Sequence, residues 1–219
     1  MIPITTRYLL ALAVLIVTTT LHPAAGFEVA DGPPLLNSPV FSLATTTSMP
    51  NDSSNTATNM NIVTYASPMS IRPTRLWAIG LYKETQSYQN FLRTGRGVLQ
   101  LLPSSDRHVD VVRVLGGTSG RDVDKQAACR ALGLEWQSLP LVGDNDEEPW
   151  PLVLPACPSY LCVELQGDLI DGGSHDIALV RVTHMFTDAT SSSRQAHLET
   201  QVLRELGIIT EQGRVAQED

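Results

Sequence analysis

The stretch Asn61–Asn90, NIVTYASPMSIRPTRLWAIGLYKETQSYQN, decides how the rest of the chain is read. Ile62 and Val63 start a strand that gives way to Thr64, Tyr65, Ala66 and Ser67. Small residues there let backbone N–H groups approach a flat ligand closely, and their hydroxyls can bond its polar edge. Pro68 and Pro73 bracket a turn and keep it extended, because the residue before a proline is pushed out of the helical region. Leu76–Tyr82 then reads as a mostly buried strand. Lys83, Thr85, Ser87 and Asn90 follow, and the last two are placed to open a short helix whose N-terminus favours an anion. A phosphate dianion calls for a fixed cation with several donors, which Lys83, Ser87 and Asn90 supply at this spacing. The plainer alternative is a solvated helix start.

Beyond this stretch, strand patterns alternate with helical ones. Residues 87–94 read as a short helix closed by Gly95, and 97–102 as an apolar strand. Pro103-Ser104-Ser105-Asp106 caps a helix through Val114, with Val109, Val112 and Leu115 on its apolar face and Gly116 beyond its end. Residues 122–132 form a second helix stopped by Gly133, and 143–151 an acidic, proline-bounded loop. Residues 160–169 alternate, with Leu161, Val163 and Leu165 on one face and Cys162, Glu164 and Gln166 on the other. Asp171-Gly172-Gly173 turns the chain into a second strand over 177–182, a hairpin by turn chemistry. Ser192 or Ser193 caps a last helix through Leu206, and Ile208-Ile209-Thr210 adds a short strand. Antiparallel strands joined by hairpins, with helices between them, suggest a closed β-barrel with helical decorations. No G-x-G-x-x-G follows a strand, which argues against a Rossmann cofactor domain.

Composition narrows the function classes. The chain has 219 residues, 42% of them hydrophobic and 17% charged, as in ordinary globular proteins. A net charge of −8 argues against the basic surface that nucleic acids need. Lys83 and Lys125 are the only lysines, and both fall in candidate site segments. Cys129, Cys157 and Cys162 lack metal-ligand or C-x-x-C spacing and read as buried or half-buried thiols, with a redox-sensitive pair as the alternative, so no metal is implied.

Met1–Gly26 reads as a signal peptide, with Arg7 before an apolar run over 8–17 too short to span a bilayer, and small residues Ala24, Ala25 and Gly26 offering a cleavage site. Ala24-Ala25-Gly26-Phe27 is similar to the cleavage motif of plastid precursors in algae with complex plastids. Residues 27–59 are rich in Ser, Thr, Asn and Pro and read as a disordered transit or linker segment. A plastid destination is preferred over plain secretion, with no membrane anchor in the mature chain. The folded domain is expected over residues 60–215.

Three segments together resemble the flavin reductase-like, FMN-binding split-barrel family. The first is the opening stretch, with its Thr/Ser loop and Ser70-Ile71-Arg72-Pro73. The second is Gly117-Thr118-Ser119-Gly120-Arg121-Asp122-Val123-Asp124-Lys125, similar to the family's Ser-Gly…Asp-Lys segment. The third is the late hairpin with Gly172-Gly173-Ser174-His175-Asp176 at its turn. The resemblance implies a mainly β, antiparallel split β-barrel of Greek-key type with inserted and C-terminal α-helices. It implies an FMN-binding oxidoreductase that takes hydride from NADH or NADPH, working as a homodimer with flavin at the subunit interface. A non-catalytic flavin- or haem-binding carrier or sensor is the alternative. The implied flavin contacts are Thr64, Tyr65, Ala66, Ser67, Ser70, Lys83, Ser87, Asn90, Ser119 and Lys125. His175 is the implied catalytic residue, lining the site. Tyr65 either stacks on a ring or fills the barrel edge, and the sequence leaves both open. His22, His108, His184 and His197 share no spacing and are given no chemistry.

Overall fold

The computed structural model describes residues 32, 34–47, 57–140, 150–188 and 196–216. The expected signal peptide, part of the transit segment, most of the acidic loop and the Ser192/Ser193 cap lie outside the described residues. In chain order the elements are β1 (Phe41–Thr46), β2 (Thr58–Val63), β3 (Ala66–Ser70), β4 (Leu76–Tyr82), α1 (Gln86–Thr94), β5 (Arg96–Leu101), α2 (Asp106–Gly117), α3 (Lys125–Ala131), β6 (Ser159–Leu165), β7 (Ile170–Gly172), β8 (His175–Phe186) and α4 (Thr200–Glu205). Among the described residues no helix is long and apolar enough to cross a membrane.

All strands join one antiparallel sheet in the order β2-β1-β5-β6-β8-β4-β3, with β7 added on β8. The two end strands, β2 and β3, are joined by Thr64 and Tyr65 alone. So short a link spans on the order of 10 Å, far less than the width of a flat seven-strand sheet at roughly 4.8 Å per strand. The sheet must therefore curl until its ends meet. It forms a mainly β half-barrel with an open seam at the β2–β3 link, as the resemblance implied.

Side-chain alternation sorts the core into two layers. Phe41 and Leu43, Val63, Ile79 and Leu81, Leu99, Leu161 and Val163, and Ala178 and Val180 form one cluster. It takes residues from both ends of the sheet, so it is the barrel interior; Phe91 of α1 plugs it. Val40 and Ala44, Met60, Val98, and Tyr160 and Cys162 face the other way, onto Val111, Val112 and Leu115 of α2 and onto Cys129 and Trp136. Strand β6 thus divides its two faces as its sequence alternation predicted. All three cysteines are free and buried.

Four expectations need correction. Ala66–Ser70, Pro68 included, form strand β3 paired with β4, rather than the loop and turn expected after Val63. The segment expected to be disordered up to residue 59 contains β1, which lies inside the sheet between β2 and β5 and whose Leu43 and Ala44 are fully buried. Ile62 and Val63 end β2, which begins at Thr58, rather than starting it. The last helix starts at Thr200, because the chain before it is extended: Val40 N donates to Leu198 O at 2.9 Å and Leu198 N to Leu102 O at 2.8 Å. That backbone pairing takes Leu198 out of any helix.

The middle helices match more closely. Gly95 takes φ 64 at the end of α1 and returns an N–H to Phe91 O at 2.8 Å, a left-handed cap that glycine adopts without Cβ strain. Asp124 caps α3 by accepting from Ala127 N at 3.0 Å. Helix α2 runs past Val114 to Gly117, and its His108 is tied to Ser105 Oγ at 2.8 Å and Pro155 O at 3.1 Å as a buried structural residue.

Candidate functional site

A cleft of about 1200 Å³ opens at the barrel seam. It is bounded by the Thr64–Tyr65 link, the start of α1, the end of α2 with the Thr118–Gly120 loop, His175 at the start of β8, and the C-terminal segment 212–216. Of the residues implied for the site, Thr64, Tyr65, Ser87, Ser119, Lys125 and His175 line it. Ala66, Ser67, Ser70, Lys83 and Asn90 do not.

One wall is aromatic. The His175 ring lies 5.4 Å from Tyr65, edge-on, and 5.1 Å from Tyr82. Tyr65 is held at the seam by its backbone carbonyl, which accepts from Gly80 N at 2.7 Å. Gly80 is required there, since a Cβ would stand 2.9 Å from Tyr65 Cβ. Burial holds the His175 imidazole below its ordinary pKa, and the positive Arg214 adds to this, so the ring is neutral at pH 7. The Tyr82 hydroxyl donates to Glu84 Oε2 at 2.7 Å, and this bond raises its pKa.

The N-terminus of α1 adjoins this wall, since Tyr82 O accepts from Thr85 N at 3.2 Å and from Thr85 Oγ1 at 2.9 Å. Thr85 caps the helix by accepting from Tyr88 N at 3.1 Å, and no acidic residue occupies the first turn. The Gln86 and Ser87 amides precede the first intrahelical bond and sit at the cleft, where the helix dipole favours an anion. Ser87 is buried and accepts from Asn59 Nδ2 at 2.8 Å. Asn90 lies one turn deeper, fully buried, donating to Thr45 Oγ1 at 3.3 Å and accepting from Gln86 Nε2 at 2.8 Å. Asn90 therefore ties α1 to β1 rather than facing the cleft.

Both lysines are internal ties. Lys83 Nζ lies 2.6 Å from Asp171 Oδ1 and 3.0 Å from Asp176 Oδ1, and Asp176 also accepts from Tyr88 Oη at 2.7 Å. These bonds raise the Lys83 pKa and lower both carboxylates, and together they clamp the β7–β8 hairpin to β4 and α1. Lys125 borders the cleft, but its Nζ donates to Met60 O at 2.9 Å and Leu115 O at 2.7 Å. Burial pushes its pKa down to about 8. Ser119 Oγ accepts from Arg121 N at 3.2 Å, and Gly120 packs so tightly on Asn59 that a Cβ would collide with its Oδ1.

Asn59, Asn61, Tyr82, Thr85, Gln86 and Arg214 also line the cleft, and none was singled out for the site by the sequence reading except Thr85, which was noted only in passing. The signal for the asparagines was present in β2: Met60 and Ile62 face the helices, while Asn59, Asn61 and Val63 alternate onto the opposite face. Polar residues on the interior side of a barrel strand mark a place where the interior is not filled by core.

The flavin reductase like domain model matches residues 35–203. Among solved structures, the NADH:FAD oxidoreductase SgcE6 of Streptomyces globisporus, in complex with NAD and FAD fragments, superposes with a TM-score of 0.54 at 15% identity, over 75% of this chain and 81% of its own. An FMN-binding protein from Thermus thermophilus gives 0.55 at 18% identity, over 77% and 85%. A protein of Sinorhizobium meliloti gives 0.54 at 18% identity over 75% of this chain, which spans only 47% of that longer protein. No curated protein sequence matches the chain. The fold, the seam and the family model over residues 35–203 agree: this chain belongs to the flavin reductase like domain family.

Proposed function

We propose that the chain is an FMN-binding oxidoreductase of the flavin reductase type, taking hydride from NADH or NADPH. The observation that carries this reading is the cleft at the seam, which sets an aromatic wall of Tyr65, Tyr82 and His175 beside the first-turn helix amides of Gln86 and Ser87. A flat ring with a phosphate tail fits that pairing of surfaces. Bound FMN supplies the hydride-accepting chemistry, and the protein supplies orientation and electrostatics. Here the Tyr65 link and His175 would flank the ring, Asn59 and Asn61 would meet its polar groups or the ribityl hydroxyls, and α1 would take the phosphate. A neutral His175 offers a hydrogen bond without adding charge at the ring.

The phosphate end has a direct test. Charge-assisted bonds from backbone amides contribute roughly 1.5–3 kcal/mol, so FMN is expected to bind about tenfold to a hundredfold more tightly than riboflavin in fluorescence titrations. Because Lys83 is held by Asp171 and Asp176 away from the cleft, Lys83→Ala is expected to leave that ratio unchanged. Loss of the FMN preference in Lys83→Ala would return the lysine to the phosphate site.

We also propose a homodimer. Met69 and Ile71 are exposed on and beside the edge strand β3, with Ile71 75% accessible, as are Ile170 on β7 and Ile177 and Met185 on β8. Exposed apolar side chains gathered along an edge strand mark an association surface. A second copy there would bring its surface to Ala66, Ser67 and Ser70 of β3, which a single chain leaves outside its cleft. Light scattering on the flavin-bound protein should return twice the chain mass; a flavin-bound monomer would refute the dimer.

A further inference from the structure

The C-terminal segment after α4 lies beyond the family match yet forms part of the cleft. It is a small, well-tied hairpin. Ile209 bridges Val215, Thr210 N donates to Arg214 O at 2.7 Å, Ala216 N donates to Ile208 O at 2.8 Å, and Gly213 makes the turn at φ 79. Ile208 and Ile209 are buried in the outer core. Val215 seats against the glycines that end α2: a Cβ on Gly116 would stand 2.9 Å from Val215 Cγ2, and one on Gly117 3.1 Å from Val215 Cγ1. The seat aims the neighbouring residue, Arg214, at the cleft, beside the Tyr82–His175 wall.

Arg214 differs from the other cations around this space: Arg113 of α2 also lines the cleft but is already engaged. Lys125 is turned into the protein by two backbone carbonyls, and Lys83 is outside the cleft between two aspartates. The Arg214 guanidinium has no hydrogen-bond or ion-pair partner among the described residues, although the Glu84 carboxylate shares the cleft. On a chain with a net charge of −8, a cation presented this way on a fixed hairpin offers a planar two-pronged donor to an anion.

We propose that Arg214 is a phosphate-recognition residue, its guanidinium engaging the phosphate oxygens of a nucleotide ligand that lies along the Tyr82–His175 wall. The proposal rests on the reading of the cleft as a flavin and nicotinamide site. The phosphate could belong to the flavin or to the dinucleotide donor, and the two sources separate by experiment. The full chain, Arg214→Ala and Arg214→Lys are titrated with FMN and riboflavin, and their KM values are measured for NADH and for dihydronicotinamide riboside, which lacks phosphate. Arg214→Ala is expected to weaken one phosphate-bearing ligand about tenfold while its phosphate-free counterpart stays within about twofold, with Arg214→Lys recovering part of the loss. A shift in FMN assigns the flavin phosphate, and a shift in NADH assigns the donor. Unchanged values for all four ligands, or equal losses with and without phosphate, would overturn the proposal. Should the unsubstituted chain bind no flavin at all, the reading of the cleft fails instead, which is a separate result.

Discussion

A chain that begins at Met60 is expected not to fold, whereas one that begins near Leu35 folds cooperatively. The compact body starts at Leu35, and β1 is an inner strand paired on both sides, with β2 from Phe41↔Val63 to Thr46↔Thr58 and with β5 from Phe41↔Leu101 to Ala44↔Val98. Removing it would expose the facing edges of β2 and β5. It would also take Phe41 and Leu43 from the barrel interior and Val40 and Ala44 from the outer core. Burying one such large apolar side chain contributes about 1.5–3 kcal/mol, so Val40, Phe41 and Leu43 together account for roughly 5–9 kcal/mol. Domains of this size are stable by only about 5–15 kcal/mol in total. Circular dichroism with urea titration decides it: a soluble, cooperatively unfolding protein from Met60 onward would contradict the placement of β1.

Lys125→Ala is expected to be the most damaging single substitution at the cleft. The Lys125 ammonium satisfies the carbonyls of Met60 and Leu115, linking β2 to the last turn of α2 beneath the site. Each buried carbonyl left without a partner costs about 1–3 kcal/mol, so the variant should lose roughly 2–6 kcal/mol, before any loss from the cavity left by the side chain. The sign of the pH dependence follows from burial. The folded pKa, about 8, is below the ordinary value of 10.5, so between the two the unfolded chain holds more protons. This group's contribution therefore raises stability as pH increases across that window, and is least favourable below it. The difference in stability slope between the parent protein and Lys125→Met in alkaline buffers should show that sign. Unchanged urea midpoints in both variants would remove Lys125 from its structural role.

The sequence disclosed most of the elements that surround the cleft. Leu76–Tyr82 was legible as a strand because its apolar run is bounded by a proline turn and a polar cluster, and its bounds are those of β4. The turn into β8 was legible from Asp171-Gly172-Gly173, where Gly173 takes φ 86, but the short strand β7 that β8 pairs with was not. Strand β1 was hidden for a physical reason: it is buried on both faces, so Phe41-Ser42-Leu43-Ala44-Thr45-Thr46 shows no clean polar–apolar alternation, and its buried Ser42 and Thr45 look like linker residues. The scarcity of lysine drew attention to Lys83 and Lys125. Their roles depend on Asp171, Asp176 and the carbonyls of Met60 and Leu115, partners that only the tertiary fold brings near. Arg214 reaches the cleft from the far end of the chain through the packing of Val215 on Gly116 and Gly117, and no local pattern announces that contact.

In the function proposed above, the cleft at the seam holds a flavin that accepts hydride from a nicotinamide donor. The most direct test is an anaerobic titration of the FMN-loaded full chain with NADH and, separately, NADPH, followed by visible absorbance. The oxidised flavin bands are expected to bleach with at least one of the two nucleotides and to return on admission of air. A bound flavin that stays oxidised in the presence of both would contradict that function and identify a non-catalytic flavin carrier, and a Soret band in place of flavin absorbance would identify a haem protein.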